Sequence, residues 1–105
     1  AQAHAGDVVV ARAACGALRS LAAAGDNRAP LVRDGAHTAV MAAARAHSGN
    51  VDVVQDACAA LVNLSAADEC RSELARDGVR EFVTFVSGLH PGDAKVQDSC
   101  LCVVL

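Results

Sequence analysis

The chain has 105 residues and is 53% hydrophobic but only 2% aromatic, with two Phe, no Trp and no Tyr. One domain or a piece of one fits this length, and its core must be packed from small side chains and short apolar stems. A formal net charge of −3 and the scarcity of aromatics exclude a basic, base-stacking nucleic-acid binder, and no apolar run reaches the roughly 18 residues of a membrane span.

The elements read in chain order as helices. Ala1-Gln2-Ala3-His4 has no initiator Met and no signal-peptide pattern, and reads as the edge of a piece cut from a larger protein. Asp7 precedes an apolar-periodic run and is expected to cap a first long helix that reaches about Ala24. A short helix follows over Asn27 to Asp34, with Pro30 in its first turn, where the missing N–H does no harm. Gly35 stops it in the left-handed conformation that glycine tolerates. A medium helix spans Ala36 to Ala46. Asn50 then caps a second long helix to about Ala66, in which Val54, Cys58, Leu61 and Val62 recur at helical spacing. The order repeats with a short helix over Asp68 to Asp77, a stop at Gly78 and a medium helix over Val79 to Gly88. A third long helix, capped by Asp93, runs to Leu105.

This order follows an internal repeat. A shift of about 43 residues lays His4-Ala5-Gly6-Asp7 on His47-Ser48-Gly49-Asn50 and Ala14-Cys15-Gly16-Ala17-Leu18 on Ala57-Cys58-Ala59-Ala60-Leu61. It also lays Arg28 on Arg71, and Leu31-Val32-Arg33-Asp34-Gly35 on Leu74-Ala75-Arg76-Asp77-Gly78. His90-Pro91-Gly92-Asp93 opens a third copy, which loses one residue before Val96-Gln97-Asp98-Ser99-Cys100 falls on Val54-Gln55-Asp56-Ala57-Cys58. A period of about 42 to 43 residues belongs to helical repeats, whose units bury an apolar face only by stacking on neighbours. Ala14, Ala17, Ala57 and Ala60 are expected to let helices approach closely, with Phe82 and Phe85 as local core fillers.

These residues resemble the armadillo family. The family's third helix typically ends in Ala-Leu-x-Asn-Leu, matched by Ala60-Leu61-Val62-Asn63-Leu64, and a glycine typically separates its first two helices, as Gly35 and Gly78 do. The resemblance implies an all-α, right-handed solenoid of three-helix repeats. Residues 7–24 would be the third helix of a first repeat, 26–66 a full repeat and 67–105 a second one, truncated at its end. It also implies a concave groove lined by third helices, in which the late Asn bonds the backbone of an extended peptide. A carboxamide suits this because it donates and accepts at one tip. The matching position is Ser20, Asn63 and Leu105, and steps of four back along each helix give Gly16, Ala59 and Leu101, then Arg12, Gln55 and Gln97. Nuclear-import receptors of the family carry Trp at the positions of Gly16, Ala59 and Leu101, so a groove of that kind is not expected here. An Asn late in a helix can equally bond a neighbouring repeat's backbone, and both roles for Asn63 stay open.

Other constellations carry less. His4, His47 and His90 recur at the repeat spacing, so they read as helix-end residues rather than metal ligands, and His37, matched by Arg80, reads as exposed. Five cysteines without a Cys-x-x-Cys pair argue against a secreted disulfide framework and for an intracellular, cytoplasmic setting. Cys15, Cys58 and Cys100 share one repeat position and read as packing residues. Cys100 and Cys102 do not face each other on a helix, and Cys70 is the expected reactive thiol. Asp68 and Glu69 suit a helix start, and no nucleophile elbow or phosphate loop occurs. The expectation is a non-catalytic module without metal or cofactor that binds a protein or peptide, and neither nucleic acid nor membrane. An architectural spacer is the alternative, and a redox or metal-dependent activity through the cysteines the third reading. The apolar run Cys100 to Leu105 adds an expectation of end-to-end self-association or of further repeats.

Overall fold

The computed structural model describes residues 8–103. Helices form over Val8–Ala22 (α1), Gly25–Arg33 (α2), Ala36–Ala46 (α3), Val51–Ser65 (α4), Arg71–Arg76 (α5), Val79–Leu89 (α6) and Ala94–Cys102 (α7). A 3₁₀ turn at Asp68–Cys70 leads into α5, and no strand occurs among the described residues. The chain is all-helical, in the predicted order.

Local chemistry sets the boundaries. Asn50 Oδ1 accepts from the amides of Asp52 and Val53 at 3.1 and 3.2 Å, and Asp93 Oδ1 accepts from that of Val96 at 2.9 Å. Both side chains thereby satisfy amides that have no partner inside the helix. Asp7, the expected cap of α1, lies outside the described residues. Gly35 and Gly78 adopt φ of 81° and 93°, where a side chain would be strained, and each turns a short helix into a medium one. Two boundaries differ from expectation. α2 begins at Gly25, so Pro30 lies in its second turn rather than its first, on the exposed side of the helix. α7 stops at Cys102, where Val103 turns extended (φ −71°, ψ 112°), so the last helix does not run on to Leu105.

The carboxyl end of α1 shows where a helix's unpaired carbonyls go. Asn63 Nδ2 donates to Arg19 O at 2.9 Å, Asn27 Nδ2 to Leu21 O at 3.0 Å and Arg28 Nε to Ala22 O at 2.8 Å. One repeat later Arg71 Nε donates to Ser65 O at 2.9 Å. The matched pair Arg28 and Arg71 is therefore a device for closing long helices, because a guanidinium offers donors without needing an acceptor in return.

Equivalent elements of successive copies pack side by side. α4 lies between α1 and α7, α3 packs on α6, and α2 packs on the 3₁₀ turn. The core between these layers is apolar, with Leu61, Leu64, Leu74 and Phe82 its largest fully buried members. Ala57 and Ala60 are fully buried at the crossings of α4, as their size predicts. Ala14 and Ala17 are exposed instead, because their side of α1 meets no described helix. Phe82 fills the core but Phe85 is 40% exposed and is not a core filler. The Arg45 guanidinium of α3 covers both rings, 5.5 Å from the Phe82 centroid and 5.2 Å from that of Phe85.

His37 is the clearest correction to the sequence reading. It is 2% exposed, not a surface residue, and its Nε2 lies 2.8 Å from Asp77 Oδ2. The pair joins α3 to the turn after α5, tying one copy to the next. Asp77 also accepts from Arg76 Nε at 3.2 Å, and that bond first, then the one to His37, holds its carboxyl below the usual carboxylate range. His90 makes a second tie of this kind, its Nε2 lying 2.7 Å from Ser48 O in the turn of the previous copy. His47 and His90 both sit at the carboxyl caps of medium helices, and His4 lies outside the described residues.

Candidate functional site

The layer α1–α4–α7 presents one continuous depression on its outer side. Its larger part has a volume of about 490 Å³, between Ser20 and Ala23 of α1, Ala59 and Asn63 of α4, and Ser99 and Cys102 of α7. A smaller part of about 300 Å³ adjoins it, reaching Gln55 and Asp56 of α4 and Lys95 of α7. α4 supplies the floor, with Ala59, Val62 and Asn63 in the larger part and Gln55, Asp56 and Ala59 in the smaller. α1 and α7 form the walls.

Charge in the cleft is mixed. Arg19 Nη1 lies 3.1 Å from Asp56 Oδ1 and spans the gap between α1 and α4. Across the floor stand Lys95 and Asp98, which have no ion-pair partner among the described residues. Asn63 spends its amide nitrogen on Arg19 O, and its Oδ1 accepts no hydrogen bond from a described residue. The site thus offers the carboxamide oxygens of Asn63 and Gln55, two serine hydroxyls, a carboxylate and an ammonium. These groups can bond backbone amides and one charged side chain of a segment laid across them.

The nine sequence-derived groove positions divide. Ser20, Ala59, Asn63 and Gln55 line the cleft. Gln55 Nε2 also donates to both oxygens of Asp93, at 3.1 and 3.0 Å, so this residue fastens α4 to the cap of α7. Arg12, Gly16, Gln97 and Leu101 do not line it, and Leu105 lies outside the described residues. Arg12 reaches Asp52 at 3.7 Å, Gln97 bonds the carbonyls of Ser87 and His90, and Leu101 is 83% exposed on another side of α7. Spacing along a helix does not decide the lining: Gln55, two steps of four before Asn63, lines the cleft, whereas Gly16, one step before Ser20, does not. On α7 the cleft side is Lys95, Asp98, Ser99 and Cys102, which the stepping rule missed. A signal was present, since Asp56 and Asp98 hold the same place in the repeated Val-Gln-Asp stretch.

The cysteines also divide. Cys15 and Cys58 are fully buried, and burial first raises their thiols, to about 11 beside the Asp56 carboxylate and to about 12 beside Cys100. Cys70 is buried at 2% exposure, with its thiol raised by burial and by Glu69 and Glu73, so it is not the accessible thiol expected of it. The exposed cysteine is Cys102, at the rim of the cleft. Among the described residues no group of three or more His, Cys, Asp or Glu is placed to hold a metal ion, and no helix is long and apolar enough to cross a membrane.

Comparison with known proteins adds no relative: no family model, curated protein or solved structure matches the chain.

Proposed function

We propose that this chain is a stretch of armadillo-type right-handed α-solenoid and serves as a non-catalytic protein-binding module in an intracellular setting. An extended segment of a partner protein would lie across α1, α4 and α7, with Asn63 Oδ1 at the centre. The observation that carries this reading is the cleft itself, which runs over equivalent helices of three successive copies and ends in open polar groups at Asn63, Ser99 and Asp98. Ala59 leaves room on the floor for an occupant's side chain, and the absence of Trp speaks against one held by its basic stems between indoles.

The test is selection of binders from a displayed library of random peptides on the purified chain. Enriched peptides should lose at least about tenfold in affinity against Ala59→Trp, which fills the floor, and against Asp98→Arg, which inverts a wall charge. These substitutions are preferable to Asn63→Ala or Gln55→Ala, which would also break bonds to Arg19 O and Asp93. A library that yields no binder, or binders indifferent to both changes, would sink the reading. That outcome would favour the second function, an architectural spacer, for which the use of Asn63 Nδ2 as an inter-helix tie is the supporting observation. Exposed apolar residues at the two ends, Val9 at 72% and Leu101 at 83%, support end-to-end contact with further repeats or with a second copy.

A further inference from the structure

The chain carries its own example of a guanidinium held between long helices. Arg19 of α1 reaches across to α4 and places Nη1 3.1 Å from Asp56 Oδ1, where the Asp56 side chain is only 22% exposed. One copy on, the carboxylate recurs and the guanidinium does not. Asp98 of α7 holds the place of Asp56 in the repeated Val-Gln-Asp stretch, and Val62 of α4 holds the place of Arg19. Asp98 and Val62 both line the larger part of the cleft. Asp98 is exposed and has no ion-pair partner among the described residues. Lys95, three residues earlier on α7, borders the smaller part and makes no ion pair with it, and Arg19 is already engaged by Asp56.

We propose that Asp98 anchors an arginine subsite: a guanidinium carried by the partner segment enters the cleft between α4 and α7 and pairs with Asp98 as Arg19 pairs with Asp56. The inference rests on the cleft being a binding surface, and it names the side chain that the occupant brings.

The acceptors around Asp98 suit a guanidinium better than an ammonium. Asn63 Oδ1 and the Ser99 hydroxyl line the same part of the cleft, and neither oxygen accepts a hydrogen bond from a described residue. A guanidinium presents five donors in a rigid plane, so it can bond the carboxylate and reach a neighbouring oxygen at once. An ammonium is a compact and more strongly hydrated charge. The charges of Arg19 and Asp56 cancel, which leaves Lys95 as the cation that opposes such an occupant. The internal pair also explains why the subsite lies at α7: at the α1–α4 step the chain fills the place itself, and at the α4–α7 step Val62 leaves it open.

The probes are peptides selected on the whole chain from a random displayed library and then synthesised. They should share an arginine. Its replacement by citrulline, which keeps the shape and removes the charge, should weaken binding at least about tenfold to the wild type but less than about twofold to Asp98→Asn. Asp98 is exposed and unpaired, so Asp98→Asn tests the carboxylate without disturbing the fold. Lys95→Ala should raise the affinity. Val62→Arg, which supplies a guanidinium from within the chain, should lower it at least about tenfold, whereas the uncharged Val62→Gln should not. Binders that are lost on Ala59→Trp yet share no arginine, that share an acidic residue instead, or that pay the same citrulline penalty on Asp98→Asn would overturn the subsite and leave the cleft reading standing. An affinity unmoved by Val62→Arg would do the same. A library that yields no binder removes both.

Discussion

α4 and α7 begin alike and end differently. Both open on a capping side chain and the same Val-Gln-Asp run, yet α4 extends over Val51–Ser65 and buries eight of its residues, whereas α7 covers Ala94–Cys102 and buries only Val96. Cys58 is enclosed and Cys100 only partly buried, and Ala59 lines the cleft floor where Leu101 stands out in solvent. The lesson is that a repeat position has no burial of its own. A helix with neighbours on both sides buries two faces, and a helix with a neighbour on one side buries one.

The largest expected effect comes from the core of α4. Leu61→Ala should cost about 3 kcal/mol by denaturant unfolding, because it leaves a cavity between both neighbours, while Leu101→Ala should change stability by less than about 0.5 kcal/mol. Equal losses would mean that α7 is covered on its outer side and would break the comparison. Next in size is His37→Ala, expected to cost about 2 kcal/mol through lost packing and a lost inter-copy bond. A loss no larger than that of Leu101→Ala would show that this contact does not tie the copies.

The smallest effect sharpens the contrast between the two caps. The cap of α4 is Asn50, which does not titrate, and that of α7 is Asp93, whose carboxyl is held low first by the Val96 amide and also by Gln55. Folded-state values below the unfolded one near 3.8 mean that Asp93 and Asp77 add stability above that value, and that this stability drains away as pH falls through their folded values. Unfolding midpoints should therefore decline below about pH 4, and Asp93→Asn should flatten part of that decline. An unchanged acid slope in this variant would remove Asp93 from the account.

Much of the fold was legible because it is written in short-range signals. The two left-handed glycines, the caps Asn50 and Asp93, and the recurrence of Leu61, Leu64 and Leu74 at core positions are local facts of sequence. The site was half legible. Ser20, Gln55, Ala59 and Asn63 follow from matching copies, whereas on α7 the matched positions Gln97 and Leu101 lie off the cleft and Lys95, Asp98, Ser99 and Cys102 line it. His37 was unreadable because its burial depends on Asp77, which arrives from the next copy's turn. Cys70 looked open because its counterpart Asn27 is polar, but the 3₁₀ turn tucks it beneath α2.

By itself the sequence determined helix content, helix order and the stacking of like on like, because periodicity and capping act over one or two turns. Only the tertiary structure decided which faces are open and which thiols and imidazoles are enclosed. Those properties belong to the space between helices, and that space is set by neighbours about 40 residues away in the chain.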